Sequence, residues 1–310
     1  VRMADENCTE VTWVTFLGLT DHPQLKPVLF ALFLGTYVLT LVGNLGLIAL
    51  IRVSPQLHTP MYFFLSNLSF LDTCYSSTIT PKMLLDLPTK NKAISFAGCL
   101  TQFYFYAVFA TAEAYLLTAM AYDRYVAISK PLLYQVVMSH GVCMSLVAMS
   151  YIAGLLNAIV HTSALLPLSF CGPLIINSFY CDGPPLLVAA STDTRLNEGL
   201  MLVFVGFNLM TTNLFIVTSY ARIGVAVARM GSAAGRRKAC STCASHLAAI
   251  LIFYVSATFN YMQPSSSNSL ESKKIASIFY TIVIPMLNPM IYSLRNKEVK
   301  QALTSFIRRK

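Results

Sequence analysis

Long apolar runs alternate along the chain with short polar connections. The runs fall at roughly 27–51, 59–80, 97–122, 140–168, 199–221, 240–262 and 275–293. About 20 apolar residues suffice for a helix to cross the hydrocarbon of a bilayer, and each run reaches that length. Carried to their polar ends, they predict helices at about 27–51, 59–84, 97–128, 140–166, 197–228, 237–262 and 272–294. Residues 1–26 form an outer tail, and 296–310 a short cytoplasmic helix 8 with its tail. Val299, Leu303 and Phe306 are spaced for one apolar face, as suits a helix lying on the inner leaflet. No Gly/Ser linker, repeat or charge block separates a second unit. The expected fold class is an all-α membrane protein, a single seven-helix bundle over 1–310.

Composition supports lipid as the solvent. A length of 310 residues would ordinarily suggest about two soluble domains. Yet 55% of residues are hydrophobic, only 11% are charged, and the mean hydropathy is +0.61, where soluble domains carry roughly 25% charge. A water-facing surface could not be covered with so little charge. Disorder is excluded by the same balance. Eight cysteines are too few for a disulfide scaffold. Asp5, Glu6, Glu10 and Asp21 precede the first run, so it reads as a retained signal-anchor and not as a cleaved signal peptide.

Basic residues set the orientation. With the N-terminus outside, the cytoplasmic pieces hold 14 Lys and Arg against Asp123 and Glu298, a balance of +12. The outer pieces balance at −1, and Asp72 and Glu113 lie inside the membrane, which accounts for the net charge of +9. That excess is a topology signal and no sign of nucleic-acid binding. The sequon Asn7-Cys8-Thr9 would then face the secretory lumen as a glycosylation site, whereas Asn67-Leu68-Ser69 falls mid-helix and reads as a chance match.

An ionisable residue at mid-membrane costs about 3 kcal/mol on insertion scales and so needs a partner or a role. Asp72 and Glu113 lie on adjacent helices, where they would share a proton or a sodium ion, with Asn44 and Asn288 adding amide ligands. A purely structural hydrogen-bonded network is the plainer alternative; a polar network that also switches is favoured. Asp123-Arg124-Tyr125 stands at the inner end of helix 3, where neighbouring Asp and Arg would pair.

These features occur together. Gly43-Asn44, Pro60-Met61-Tyr62, Leu71-Asp72, Asp123-Arg124-Tyr125 and Asn288-Pro289-Met290-Ile291-Tyr292 fall in order at matching depths. On them the chain resembles a rhodopsin-like (class A) G-protein-coupled receptor. LHTPMYFFLSNLSFLD (57–72), MAYDRYVAI (120–128), SYARI (219–223), KACSTCASHL (238–247) and PMLNPMIYSLRN (285–296) narrow the resemblance to odorant receptors, of the tetrapod class II branch. It covers essentially the whole chain. The resemblance implies a disulfide between Cys99 and Cys181, and coupling or activation roles for Asp123, Arg124, Tyr125, Tyr220, Lys238, Asn288, Pro289 and Tyr292. It also implies an odorant ligand, a heterotrimeric G protein of the stimulatory or olfactory class that raises cyclic AMP, and a plasma-membrane site in the cilia of olfactory neurons. Three departures stand out: Ser191 where the family has a third loop cysteine, leaving Cys171 without its usual partner unless Cys8 serves; Val255 in place of glycine; and Ser129 in place of cysteine.

Other functions fit less well. Residues 275–294 contain no lysine for a retinal Schiff base. A transporter or proton pump would show an inverted repeat, and none is visible. No His-Glu-x-x-His or Gly-x-Ser-x-Gly supports an enzyme. Cys240, Cys243 and His246 have a redox or zinc spacing but no fourth ligand, so packing and signalling are favoured. Another class A receptor for a small apolar ligand remains the nearest alternative.

For the ligand, helix 3 offers Tyr106, Ala107, Ala110 and Thr111 in its outer half. The resemblance adds Phe204, Val205 and Asn208, then Tyr254, Thr258 and Tyr261, then Ser277, Tyr280 and Thr281, with Tyr254 as the packing switch on helix 6. Small residues leave room and hydroxyls converge, with no full charge among them. The expected ligand is a small neutral odorant with one polar group. A charged ligand held by Asp182 or Arg195 is the competing reading.

Overall fold

The computed structural model describes residues 11–20, 22–262, 267–294 and 297–308, without the side chains at 238, 245, 260–262, 267–271, 293, 294, 297 and 307. Seven long helices cross in sequence: α1 (Lys26–Val53), α2 (Pro60–Asp86), α3 (Phe96–Ser129), α4 (His140–Leu165), α5 (Arg195–Ala228), α6 (Ala233–Met262) and α7. The last is composite, with Ser267–Ile278, a π-helical turn at Phe279–Val283, and Ile284–Leu294 in succession. A further helix, α8 (Lys297–Arg308), follows.

Local chemistry explains where these helices start. Pro27 and Pro60 sit in the first turns of α1 and α2, where a missing N–H leaves no bond unmade. Ser95 caps α3 by accepting from the Gly98 N–H at 3.1 Å. Among the described residues, six of the seven long helices are apolar enough by composition to cross a membrane. The exception, α2, carries Asp72 among Ser66, Ser69, Thr73, Ser76 and Thr80, and much of that polar surface is buried against its neighbours. By contrast, α5 exposes Leu202, Val203, Phe207, Met210, Leu214, Phe215 and Val217. A stripe of that size belongs against acyl chains, not water.

The bundle packs around α3, which touches α2, α4, α5 and α6. Its approach to α4 is closest at Gly154, where an added Cβ would lie 2.4 Å from the Val108 carbonyl oxygen. Gly43 likewise lets α1 approach Pro289 of α7, with a notional Cβ 3.0 Å from its ring. Pro289 cannot donate to the carbonyl four residues back, at Pro285. Asn44 supplies the missing donor: its Nδ2 donates to the Pro285 carbonyl at 2.9 Å and to that of Thr40 at 3.0 Å.

On the outer side, Trp13–Phe16 (β1) pairs antiparallel with Ala93–Ser95 (β2) and parallel with Leu174–Ile176 (β3). Strands of three and four residues are too short to show a period in the sequence, so the outer tail and loops gave no sign of a sheet. Cys99 and Cys181 are disulfide-bonded, tying the loop after α4 to the start of α3. Cys171 is disulfide-bonded too, to a partner outside the described residues, so of the two outcomes left open for it the free thiol is the one set aside. At the position of the missing loop cysteine, Ser191 Oγ accepts from the Cys171 N–H at 3.0 Å.

On the inner side, Val299 and Ala302 of α8 are buried, while Leu303 and Phe306 are exposed. Tyr62 of α2 donates to Glu298 at 2.6 Å and fixes the start of α8.

Candidate functional site

Between α3, α4, α5 and α6 lies a cavity of about 90 Å³. Tyr106, Ala107, Ala110, Thr111, Val205 and Asn208, all expected from the sequence, line it. Its wall also contains Asn157 and His161 of α4, Met201 of α5, and Phe253 and Ala257 of α6. These five were not foreseen. Helix periodicity marks Asn157 and His161, four apart on one α4 face, as inward polar residues in an apolar run, and that was the available signal.

Several expected residues stand elsewhere. Phe204 lies behind the wall, edge-on to the His161 ring at 5.9 Å. Tyr254 reaches inward to the Ala114 carbonyl at 3.4 Å, leaving Phe253 and Ala257, four apart, on the cavity face. Thr258 is exposed and lines no part of the cavity, because it is one residue past that face. The Tyr261 side chain lies outside the described residues, as do Asn7 and the side chain of Lys238. Ser277, Tyr280 and Thr281 are buried on α7 but do not reach the cavity. The hydroxyls of Ser277 and Thr281 donate within their own helix, to Lys274 and Ser277 carbonyls. Tyr280 instead joins a hydroxyl chain, 2.9 Å from Tyr180 and 3.5 Å from Tyr106.

A polar relay braces the cavity wall. Tyr115 donates to Asn208 Oδ1 at 2.7 Å, Asn208 donates to Asn157 Oδ1 at 3.2 Å, and Asn157 donates to Thr111 Oγ1 at 3.0 Å. The outer loop forms the roof. Cys181 is held by its disulfide and by its N–H donating to Gln102 Oε1 at 2.9 Å. Next in the chain, Asp182 accepts from Gly183 N–H and from the Tyr180 hydroxyl, each at 2.8 Å. That carboxylate is buried and engaged, and Arg195 is exposed beside Asp193, which disfavours either as the anchor of a charged ligand.

Gly183 presses on the cavity from above. A Cβ there would lie 2.4 Å from the Met201 methyl and 3.6 Å from the Phe103 ring. Gly183→Ala is therefore expected to push the flexible Met201 side chain into the cavity with little loss of folding. Larger agonists should lose about tenfold in potency, on the order of 1.4 kcal/mol, with smaller ones less affected. Dose–response curves for an agonist series of graded size check this, and Met201→Ala should restore the larger members.

At mid-bundle, Asn288 Nδ2 donates to both Asp72 oxygens at 3.0 and 3.2 Å, and Glu113 is buried nearby. Among the described residues Asn44 makes no hydrogen bond to Asp72, Glu113 or Asn288, its Nδ2 donating to backbone carbonyls instead, while its Oδ1 is left without a partner. Among the described residues, Asn44 Oδ1, Asn288 Oδ1 and Glu113 Oε1 are buried oxygens without a hydrogen-bond partner.

The inner face also differs from expectation. Asp123 and Arg124 form no ion pair within 4.0 Å among the described residues; Asp123 accepts from Tyr134 at 2.7 Å instead. Burial and the Asp123 carboxylate push the Tyr134 phenol well above its ordinary range. Tyr125 lies under the Arg222 guanidinium, 5.7 Å from ring centre to carbon. Tyr220 of α5 bonds His246 Nδ1 of α6 at 2.7 Å, and the His246 ring lies 6.4 Å from that of Tyr292 on α7. His246 thus joins three helices at the inner end of the bundle, a role the sequence did not reveal.

A larger groove, about 640 Å³, opens at the inner ends of α1, α2 and α4. Its exposed Arg52, His58 and Phe70 place it on the perimeter of the bundle, away from the site just described.

Residues 33–310 match the family model for olfactory receptors. The chain is 54% identical over 303 residues to the mouse (Mus musculus) olfactory receptor 5AP2, covering 98% of this chain and 96% of that protein. It is 54% identical over 301 residues to human (Homo sapiens) olfactory receptor 8D1, with 97% and 98% covered, and 52% identical over 308 residues to human olfactory receptor 5F1, with 99% and 98% covered. A bundle of seven long helices with a cavity between them is the architecture those similarities call for. The chain belongs to the olfactory receptor family: it is a multi-pass G-protein-coupled odorant receptor and not an enzyme.

Proposed function

We propose that the chain binds one small neutral odorant inside the helix bundle and activates a stimulatory, olfactory-type G protein, raising cyclic AMP in the cilia of olfactory neurons. The observation that carries the ligand class is the cavity lining: hydroxyls, amides, one imidazole and apolar side chains, with no acid, lysine or arginine. An unpaired buried charge costs several kcal/mol, roughly, so a permanent ion is disfavoured there. The cavity's small volume requires side chains to yield as ligand enters, and the energy of activation comes only from the ligand's preference for the active arrangement. Repacking of Phe253 and Tyr254 then moves α6 and opens an inner cleft for a helix of the G protein.

A sodium ion between Asp72 and Glu113 fits the same reading. The unpartnered oxygens of Asn44, Asn288 and Glu113 are hard donors suited to such a cation. There it would supply charge neutralisation for two buried carboxylates.

The test is a cyclic-AMP assay in cells expressing the full chain, against a chemically diverse odorant panel. Ala110→Trp, which fills the cavity, should abolish responses to the agonists found while surface level stays near normal. Agonists that are permanent ions, or responses indifferent to Ala110→Trp, would overturn the reading.

A further inference from the structure

Resting on the cavity described above, we infer that His161 is the polar anchor of the ligand and that the preferred ligands carry a hydroxyl group, as compact alcohols and phenols. His161 lies on α4, only 6% exposed, and lines the cavity together with Asn157. Among the described residues its Nε2 is buried without any hydrogen-bond partner. Such an atom represents an interaction left unmade, and a ligand that completes it binds more tightly than one that does not.

Each of the other polar groups of the wall already has a hydrogen-bond partner, Thr111 included. Asn157 uses both ends of its amide, donating to Thr111 and accepting from Asn208. Asn208 in turn accepts from Tyr115, so its oxygen and nitrogen are both engaged. Tyr106 directs its hydroxyl toward Tyr280, away from an incoming molecule. A ligand's polar group therefore finds its strongest opening at His161.

The chemistry of imidazole selects the group. In one neutral tautomer Nε2 accepts a hydrogen bond, and in the other it donates one. A ketone, ester or ether satisfies only the donating tautomer, and a hydrocarbon neither. A hydroxyl both donates and accepts, so it completes Nε2 in either case. Phe204, edge-on to the ring at 5.9 Å, holds the imidazole in place, so the anchor is ready before ligand arrives.

Matched probes of similar size separate the possibilities: hexan-1-ol, pentyl methyl ether and heptane, with benzyl alcohol and ethylbenzene as an aromatic pair. Their binding is read as thermal stabilisation of the purified full chain in lipid nanodiscs, and their activity as the cellular response. The wild-type receptor should favour each alcohol over its hydrocarbon by roughly tenfold, the scale of one satisfied buried hydrogen bond. His161→Phe, which keeps the ring packing against Phe204, should erase that preference while hydrocarbons bind about as before. His161→Gln, which keeps a donor and an acceptor, should retain part of it. Persistence of the alcohol preference in His161→Phe, or failure of both alcohols to stabilise the wild-type receptor, overturns the assignment. Ala110→Trp serves as the control for the cavity itself. If that variant still binds every probe like wild type, the cavity is not the ligand site; if it loses them all while His161→Phe keeps the preference, only the anchor is wrong.

Discussion

Replacing Arg124 with alanine is expected to abolish the G-protein response while leaving the receptor at the cell surface. Arg124 lies 25 residues along α3 from Cys99, about 37 Å at about 1.5 Å per residue, so the two mark opposite faces of the membrane. The guanidinium makes no ion pair with Asp123, whose carboxylate is taken by Tyr134. It stands close enough to Tyr220, His246 and Tyr292 to act on each electrostatically. Removing it therefore breaks no buried ion pair, and folding should be spared. What goes is the charge available to carbonyls of an incoming G-protein helix once α6 moves. Surface labelling and cyclic-AMP accumulation, measured in the same cells, check both halves. A variant that signalled fully would remove Arg124 from the coupling machinery.

A second large effect is expected from Gly154→Val, this time on folding. The Cβ position at Gly154 falls 2.4 Å from a backbone oxygen of α3 and 3.4 Å from Ala112 Cβ. Backbone cannot step aside as a flexible side chain would, so α3 and α4 must separate. Overpacking of this kind costs about 1–3 kcal/mol, a large fraction of the stability of most proteins. Separation would also displace Asn157 and His161 from the cavity wall. Surface expression should fall severely, with the residue retained intracellularly. Gly141, on the same helix with nothing within 4 Å of its notional Cβ, provides the control: Gly141→Val should be tolerated far better.

The hydrophobic pattern made the bundle legible because bilayer thickness imposes one length on every crossing segment. Even α2 was found, although its polar residues make it the least apolar of the seven. The cavity was half legible. Positions on α3 followed from one helical face and Val205 and Asn208 of α5 from the family resemblance, whereas on α6 the expected Thr258 is turned outward and Phe253 and Ala257 line the cavity instead. Such rotation depends on packing against neighbours and has no signature in a helix apolar on every side. The contribution of α4 was missed for a related reason: whether a helix borders a cavity depends on its spatial neighbours. Long-range polar pairings, such as Tyr134 with Asp123 and Tyr220 with His246, were likewise invisible, since nothing in sequence spacing links residues on separate elements.

The bond from Asn44 to the Pro285 carbonyl has a mechanical consequence. A proline leaves a helix with a missing rung, and a missing rung is where a rod bends. Here the rung is supplied from a different helix, so bending α7 at Pro289 means pulling it away from α1. Gly43, seated against the proline ring, removes the slack that would let the two slide. Together α1 and the inner part of α7 form a fixed post, whereas the inner end of α6 is tied to α5 through the Tyr220–His246 hydrogen bond, side chain to side chain with no backbone group involved. Motion started in the cavity should therefore be delivered to the member with the lighter fastening, and the post supplies the fulcrum.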